Sequence, residues 1–451
     1  MQDNKLTEGA IFQKLIWFSL PMIAGNLLQQ VYNLVDTLIV GRWLGADALA
    51  SVGSSYTLMV FITSVIIGLC MGSGAFFSAD YGAANLHRLR QDIWLSFLFV
   101  FTVAILICVT VYLSMDTIIR MLRTPDELRA LSREYVSVVF GGIIFVFLYN
   151  FFAYLMRAMG NSRIPLIFLA LSSVANIVLD IIFVVMLHLG VGGAAFATVI
   201  AQGIAGVGIA VYSVIKAPIL HGIRNELSWN SRRMKEIIIN DIATGIQQSV
   251  MNFGILMIQG LVNSFGPIVM ASFAAAVKID TLAYMPAQEF SNAYSLFVSQ
   301  NYGAQKTERI KKGTHIAVAV SVAFCTVVSV FIVIFAGTLM GVFIDPEETA
   351  IIVEGVHYLR IEGAAYVGIG ILFLWYAYFR GIEKPQVSLL LTVISLGTRV
   401  LLSYALAPNT PLGVVAIWVS IPVGWLLADV TGAVLYRHLK VMRQDGERYV
   451  E

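Results

Sequence analysis

The chain has 451 residues, of which 58% are hydrophobic and only 12% are charged, and its mean hydropathy is +0.82. Soluble domains carry about 25% charged residues, and no soluble fold of this length could bury so much apolar surface. The formal net charge is +2, and the basic residues lie in short clusters between apolar runs rather than on one face, which argues against a nucleic-acid partner.

Twelve long apolar segments follow one another along the chain, each near the length of about 20 residues that a helix needs to cross a membrane. Runs this continuous do not show the alternation of membrane barrel strands. We therefore predict an all-α polytopic membrane protein with about twelve transmembrane helices. The first six segments are 15–40, 50–77, 93–113, 135–156, 164–187 and 194–215, and the second six are 237–262, 269–299, 314–342, 356–379, 386–406 and 414–435.

Most of the 29 Lys and Arg residues fall in the loops on one side of these segments. Because the helix count is even, both termini lie on that same side. Positively charged loops stay in the cytoplasm, so we expect both termini to be cytoplasmic.

The two halves of the chain repeat. The motif at 45–51 corresponds to 266–272, and the motif at 78–83 corresponds to 299–304 at the same offset. Leu189-Gly-Val191 corresponds to Leu412-Gly-Val414 at a slightly larger offset. Six helices per half give parallel repeats, related by an axis along the membrane normal. We predict two six-helix lobes, an N-lobe at 1–216 and a C-lobe at 237–451, joined by a cytoplasmic linker at 217–236.

Ionisable side chains deep in a membrane cost about 2.5–3.5 kcal/mol on insertion scales, which makes them candidates for function. Asp36 lies near the end of the first predicted helix, whereas Asn176 and Asp180 lie four residues apart on the fifth and face the same way. These oxygens suit a hard cation such as Na⁺, or a proton. The alternatives are a hydrated Asp36 at the outer interface and an Asn176–Asp180 pair that only joins helices.

The repeat favours the cation site, because the second half lacks the same polar set. A feature needed only for folding would more often persist in both halves. The equivalent positions in the second half are Met257 for Asp36, Arg399 for Asn176 and Ser403 for Asp180.

Pro21 stands fifteen residues before Asp36 in the same predicted helix. Proline removes one backbone hydrogen bond and weakens a helix locally. The first helix can therefore bend at this point, although an ordinary packing kink is the alternative.

The second half carries its own ionisable residues. Lys278 and Asp280 are two residues apart on the eighth predicted helix, so they do not share a helix face. Asp280 could pair with Arg399 on the eleventh helix, or these side chains could line a substrate cavity together with Glu289. Glu362 and Asp429 are weaker candidates.

No motif for an enzyme stands out. The chain has no Walker loop for ATP, and its six His residues show no metal-ligand spacing. We therefore expect neither an enzyme nor a cofactor.

Four features resemble the multidrug and toxin extrusion (MATE) family of exporters. They are Pro21 with Asn33 and Asp36 followed by Gly41-Arg-Trp-Leu-Gly-Ala-Asp-Ala-Leu-Ala50, then Arg157-Ala-Met-Gly-Asn161, Asn176 with Asp180, and Gln300-Asn-Tyr-Gly-Ala304. The resemblance implies two lobes around a V-shaped cleft, in which entry of Na⁺ or H⁺ drives export of small organic, often cationic, compounds. It further implies a monomer among the lipids of a bacterial cytoplasmic (inner) membrane.

The resemblance also implies roles for individual residues. The cation site of that family's N-lobe falls on Asp36, Asn176, Asp180 and Thr198, and its bending proline falls on Pro21. Some branches carry an acid on helix 7, where this chain has none between Gly245 and Gly254. The runner-up function is a flippase for lipid-linked oligosaccharides or cell-wall precursors, which would need several cationic residues in its cavity.

Overall fold

The computed structural model of the protein describes residues 5–121, 126–221 and 228–438, and within these ranges the ordered elements are all helical. The helices of the first half are α1 (Ile11–Leu44), α2 (Ala46–Gly82), α3 (Leu86–Met121), α4 (Arg129–Gly141), α5 (Ile143–Ala158), α6 (Arg163–Asp180) and α7 (Gly190–Lys216). Those of the second half are α8 (Ser231–Asn263), α9 (Pro267–Gly303), α10 (Thr307–Phe343), α11 (Thr349–Gly363), α12 (Tyr366–Gly381), α13 (Pro385–Leu406) and α14 (Val414–His438).

The chain is a multi-pass membrane protein, and each of the twelve predicted segments falls on helical structure. Across the described residues, nine helices are long and apolar enough to cross a membrane, or eleven spans if each bent helix pair counts as one. The bent pairs are α4–α5, at 41°, and α11–α12, at 51°. The remaining predicted segment, 237–262, lies in α8, whose 33 residues include the polar Asn240, Asp241 and Gln247.

The backbone confirms the internal repeat. Four pairs of residues with left-handed φ angles recur at the two offsets found in the sequence, although such angles are uncommon outside glycine. At the smaller offset they are Gly45 (88°) with Gly266 (97°) and Ala84 (55°) with Gln305 (56°), and at the larger offset they are Gly160 (79°) with Glu383 (58°) and Gly190 (65°) with Gly413 (52°).

The chain forms two compact units, and each contains the start of a helix that continues into the other. The first unit consists of Met1–Lys5 and Leu20–Ser249, and the second of Leu6–Ser19 and Val250–Glu451. The first turns of α1 thus belong to the second unit, and the first half of α8 belongs to the first unit. The predicted linker at 217–236 stays a prediction: α8 begins at Ser231, and residues 222–227 lie outside the described part.

In the first unit, a buried charge cluster holds the start of α8. The guanidinium of Arg233 donates from Nε to Oδ1 of Asp92 at 2.8 Å, lies 3.6 Å from Asp80 and covers the ring of Phe76 at 4.4 Å. Arg88 adds a second ion pair to Asp80, at 3.5 Å. Because Asp80, Asp92 and Arg233 are all buried, this cluster fixes the start of α8 against α2 and α3.

In the second unit, the end of α9 and the start of α10 hold the segment before α1. The backbone N–H of Leu6 donates to Oε1 of Gln300 at 2.8 Å, and Nζ of Lys306 donates to the carbonyl of Thr7 at 3.0 Å. Arg309 donates to the carbonyl of Gly9 at 2.8 Å. The first unit therefore anchors α8 with buried charges, whereas the second anchors α1 mainly through its backbone.

Replacement of Arg233 by alanine should destabilise the protein strongly, because Asp80 and Asp92 would be left as buried carboxylates with less counter-charge. Breaking such a buried pair costs about 3–5 kcal/mol. The measurement is the thermal unfolding of detergent-solubilised protein. The matched control is Arg232→Ala, since that side chain is 87% exposed and lies 3.8 Å from Glu236; we expect its effect to stay within about 0.5 kcal/mol. Equal losses in the two variants would contradict this role.

Candidate functional site

Three helices of the first unit carry the residues of the predicted cation site. Asp36 lies on α1, Asn176 and Asp180 on the last turns of α6, and Thr198 on α7. Asp180 is the final residue of α6, and the six residues that follow, Ile181–Met186, form a π-helical turn. Single π-helical turns occur often at functional sites, and sequence periodicity gave no sign of this one.

The two carboxyl groups of the predicted site interact directly with one another. Asp180 is fully buried and Asn176 is 2% exposed, while Asp36 is half-buried with Oδ1 enclosed. Within the described residues, Oδ1 of Asp36, both carboxylate oxygens of Asp180 and the amide of Asn176 have no hydrogen-bond partner. The oxygens of Asp36 and Asp180 therefore lie together without the donors that such buried groups need, and the amide of Asn176 lies one turn before Asp180 on α6.

Thr198 is placed differently from the other three. Its hydroxyl donates to the carbonyl of Ala194, one turn earlier in α7, at 3.1 Å, and the side chain is 9% exposed. The neighbouring turn of α7 packs on α6, where the hydroxyl of Ser172 donates to the carbonyl of Ala201 at 2.8 Å. The role of Thr198 as a cation ligand stays a prediction.

Sequence reasoning missed Tyr135 on α4, which is 4% exposed and interacts electrostatically with both Asp36 and Asp180. Tyr32 and Tyr56 lie in the same surroundings. A tyrosine hydroxyl can donate or accept a hydrogen bond. The hydroxyl of Tyr135 can therefore reorient when the charge of the carboxyl pair changes. Tyr135 opens the fourth predicted segment, and nothing in its local sequence distinguishes it from an ordinary interfacial tyrosine.

These residues fit a small cation chemically. Carboxylate and amide oxygens are the ligands of hard cations, and two adjacent carboxylates in a low dielectric cannot both stay ionised cheaply. No basic group acts on either Asp36 or Asp180 among the described residues. A proton or Na⁺ would supply the missing positive charge.

Pro21 lies inside α1, which continues as a helix on both sides of it. The boundary between the two compact units falls between Ser19 and Leu20, directly before this proline. Because Pro21 has no backbone N–H to donate, one helical hydrogen bond is missing there. This weakens α1 at the point where the helix passes from one unit into the other.

A second group of charges lies in the second unit. Asp280 on α9 accepts a hydrogen bond from the hydroxyl of Tyr366 at 2.6 Å and interacts with Glu362 on α11 and Arg399 on α13. The sequence suggested a simple Asp280–Arg399 pair and ranked Glu362 as a weaker candidate. Glu362 instead belongs to the same cluster and is 1% exposed.

Lys278 and Glu289 do not belong to this cluster. Lys278 is exposed, on a different face of α9 from the buried Asp280, as their spacing of two residues requires. Glu289 is half-buried and accepts a hydrogen bond from Asn292 at 3.3 Å. Asn292 in turn accepts one from Arg380 at 3.0 Å, so Glu289 is linked through an amide to a buried guanidinium.

Comparison with known proteins identifies the family. The sequence profile of the MatE family matches residues 21–182 and, separately, residues 243–405. The chain belongs to the MatE family. Its members are transporters, so the expectation of a transporter rather than an enzyme is confirmed, and the two separate matches agree with the repeat seen in the sequence and in the backbone.

Relatives in this family cover most of the chain. The probable multidrug resistance protein YpnP of Bacillus subtilis is 28% identical over 397 residues, covering 88% of each chain. The probable multidrug resistance protein NorM of Thermotoga maritima is 26% identical over 431 residues, covering 93% of this chain and 90% of the relative. A crystal structure of MATE in the bent conformation shares the fold, with a TM-score of 0.91, 24% identity and 98% of each chain covered.

Replacement of Asp180 by asparagine should stabilise the protein in Na⁺-free buffer at high pH. The substitution removes one of two like negative charges. Its amide also offers an N–H donor to Asp36, which relieves a penalty of roughly 1–3 kcal/mol for an unsatisfied buried group. Thermal unfolding of the solubilised protein measures the change. The exposed Asp345 provides the control, since Asp345→Asn should leave stability unchanged. A lower stability of Asp180→Asn would mean that Asp180 only joins helices.

Proposed function

We propose that this protein is a secondary active multidrug exporter that exchanges small organic, often cationic, compounds for H⁺ or Na⁺. The names of its relatives support the export of drugs. The observation that carries the coupling is the Asp36–Asp180 pair, whose buried oxygens have no donor within the described residues. Such a pair is stable only when it binds a positive charge, so its occupancy follows the gradient of that charge across the membrane.

Cation uptake at this pair would act on α1. When Asp36 and Asp180 share a positive charge, their repulsion disappears and α1 can approach α6. Asp36 lies fifteen residues after Pro21, or about 22 Å along the helix. A displacement of the later part of α1 would be absorbed at Pro21, next to the point where the helix leaves the second unit.

The same proposal covers location and partners. Basic residues on one side support cytoplasmic termini in a bacterial cytoplasmic membrane. We propose that the protein works as a monomer surrounded by lipid, and that it needs no cofactor besides the coupling ion.

The flippase alternative receives less support. An anionic lipid carrier needs cationic side chains that are available to bind it. Arg399 already interacts with Asp280 and Glu362, which leaves Lys278 as the other basic residue that the sequence places deep in the membrane.

The test is dye efflux from proteoliposomes under separately imposed Na⁺ and H⁺ gradients. A cationic dye should be moved by at least one of the two gradients in the unmodified protein. Asp36→Asn and Asp180→Asn should each reduce gradient-driven efflux to the level of passive leak. A neutral amide cannot take up and release a proton, and it lacks the negative charge that holds Na⁺.

Efflux should be divided by the amount of folded protein, so that lost transport is separated from lost abundance. Asp345→Asn is the matched control and should transport normally. Near-normal efflux by both site variants would move the coupling to other acids. Movement of lipid-linked sugars without dye efflux would favour the flippase.

A further inference from the structure

The cluster of Asp280, Glu362 and Arg399 in the second unit is closed off from water. Their exposed fractions are 5%, 1% and 9%. The two carboxyl groups interact directly with one another, and Arg399 acts electrostatically on both. This site is separate from Asp36 and Asp180, and it would bind its ligand whatever their role.

Aromatic side chains enclose the cluster. Tyr358 interacts with Glu362 and packs edge-on against Trp418 with ring centroids 4.9 Å apart. Trp418 also stacks on Phe273 at 5.4 Å. These rings reduce hydration, so charges inside the cluster must be balanced locally. The other titratable groups that face the carboxyls are Tyr284 from α9, Tyr358 from α11 and Tyr366 from α12.

The charges of the cluster do not balance. Two ionised carboxylates and one guanidinium sum to minus one, and the hydroxyl of Tyr366 donates to Asp280 without adding charge. Oε1 of Glu362 and Nε of Arg399 are buried, and within the described residues they have no hydrogen-bond partner. One more positive charge is therefore needed for a stable buried cluster.

We propose that Asp280 and Glu362 bind one exchangeable proton between them, and that Arg399 makes this site selective for a proton over Na⁺. The proton adds to one carboxylate oxygen as an O–H group, which then donates to the other carboxylate. A metal ion would instead need a shell of several oxygens and would lie next to the fixed charge of Arg399, which repels it.

The repeat shows how the two sites differ. Arg399 occupies the position in the second half that is equivalent to Asn176 in the first, so the same position carries an amide in the first unit and a guanidinium in the second. The amide can serve a metal ion as an oxygen ligand, whereas the guanidinium has only donors. The second site thus binds its proton whatever the Na⁺ concentration.

The test is infrared spectroscopy of the purified full-length chain as pH is stepped. Asp36→Asn/Asp180→Asn serves as the starting variant, so that the first site does not contribute to the spectral difference. A protonated carboxyl band should vanish as pH rises. Adding Glu362→Gln should abolish this titrating band, and adding Glu347→Gln, at an exposed acid before α11, should leave it intact.

Exchange of sodium chloride for choline chloride at constant pH should not change the titration of this band. A band that persists in Glu362→Gln, or one that Na⁺ displaces, would overturn the proposal. If Glu362→Gln does not accumulate as folded protein, Asp280→Asn removes the partner carboxyl and should cause the same loss.

Arg399→Gln tests the selectivity directly. In this variant the net charge of the ionised cluster is minus two, and position 399 carries an amide, as the equivalent position does in the first unit. We expect its carboxyl band to become sensitive to Na⁺ while that of the starting variant stays insensitive. Continued insensitivity to Na⁺ would show that Arg399 does not set the selectivity.

Discussion

Buried carboxylates need compensating charge, and the amount that the chain supplies differs among three pairs of buried or half-buried carboxylates in its described part. Burial removes water from an ionised group at a large cost, which only a counter-charge or several donors can offset. Asp80 and Asp92 have two arginines, Asp280 and Glu362 have one, and Asp36 and Asp180 have none. With every group ionised, the three pairs therefore carry net charges of zero, minus one and minus two.

This difference in charge corresponds to a difference in proposed role. The balanced pair has no reason to exchange ions, and it anchors the start of α8 through Arg233. The pair with one arginine can bind a proton, and the pair with none depends entirely on a cation from solution. Only the last pair has a member, Asp36, on α1, which is one of the two helices that continue from one compact unit into the other and which contains Pro21.

The sequence predicted those features that depend on local spacing. Long apolar runs revealed the helices, shared motifs at constant spacing revealed the repeat, and the four-residue separation of Asn176 and Asp180 placed both on one face of α6. The spacing of two residues also placed Lys278 and Asp280 on different faces of α9, of which the structure exposes the first and buries the second. These are properties of single helices and do not depend on how helices pack.

Features that depend on packing were not predictable in this way. Glu362 looked like a weak candidate because its own segment does not reveal that Asp280 lies opposite. Tyr135 and the π-helical turn after Asp180 were missed for the same reason. The start of α8 was placed too late, because the run of charged residues around Arg233 resembles a hydrated loop, whereas Arg233 itself is buried by ion pairs with α2 and α3.

In the proposed exchange, substrate and cation compete through Asp36 and Asp180. Linkage requires that a substrate expelled by cation binding must weaken that binding by the same factor. The most direct measurement is the release of protons or Na⁺ when a cationic dye is added to the purified protein. We expect release from the unmodified chain and none from Asp36→Asn/Asp180→Asn. Equal release from both proteins would contradict it.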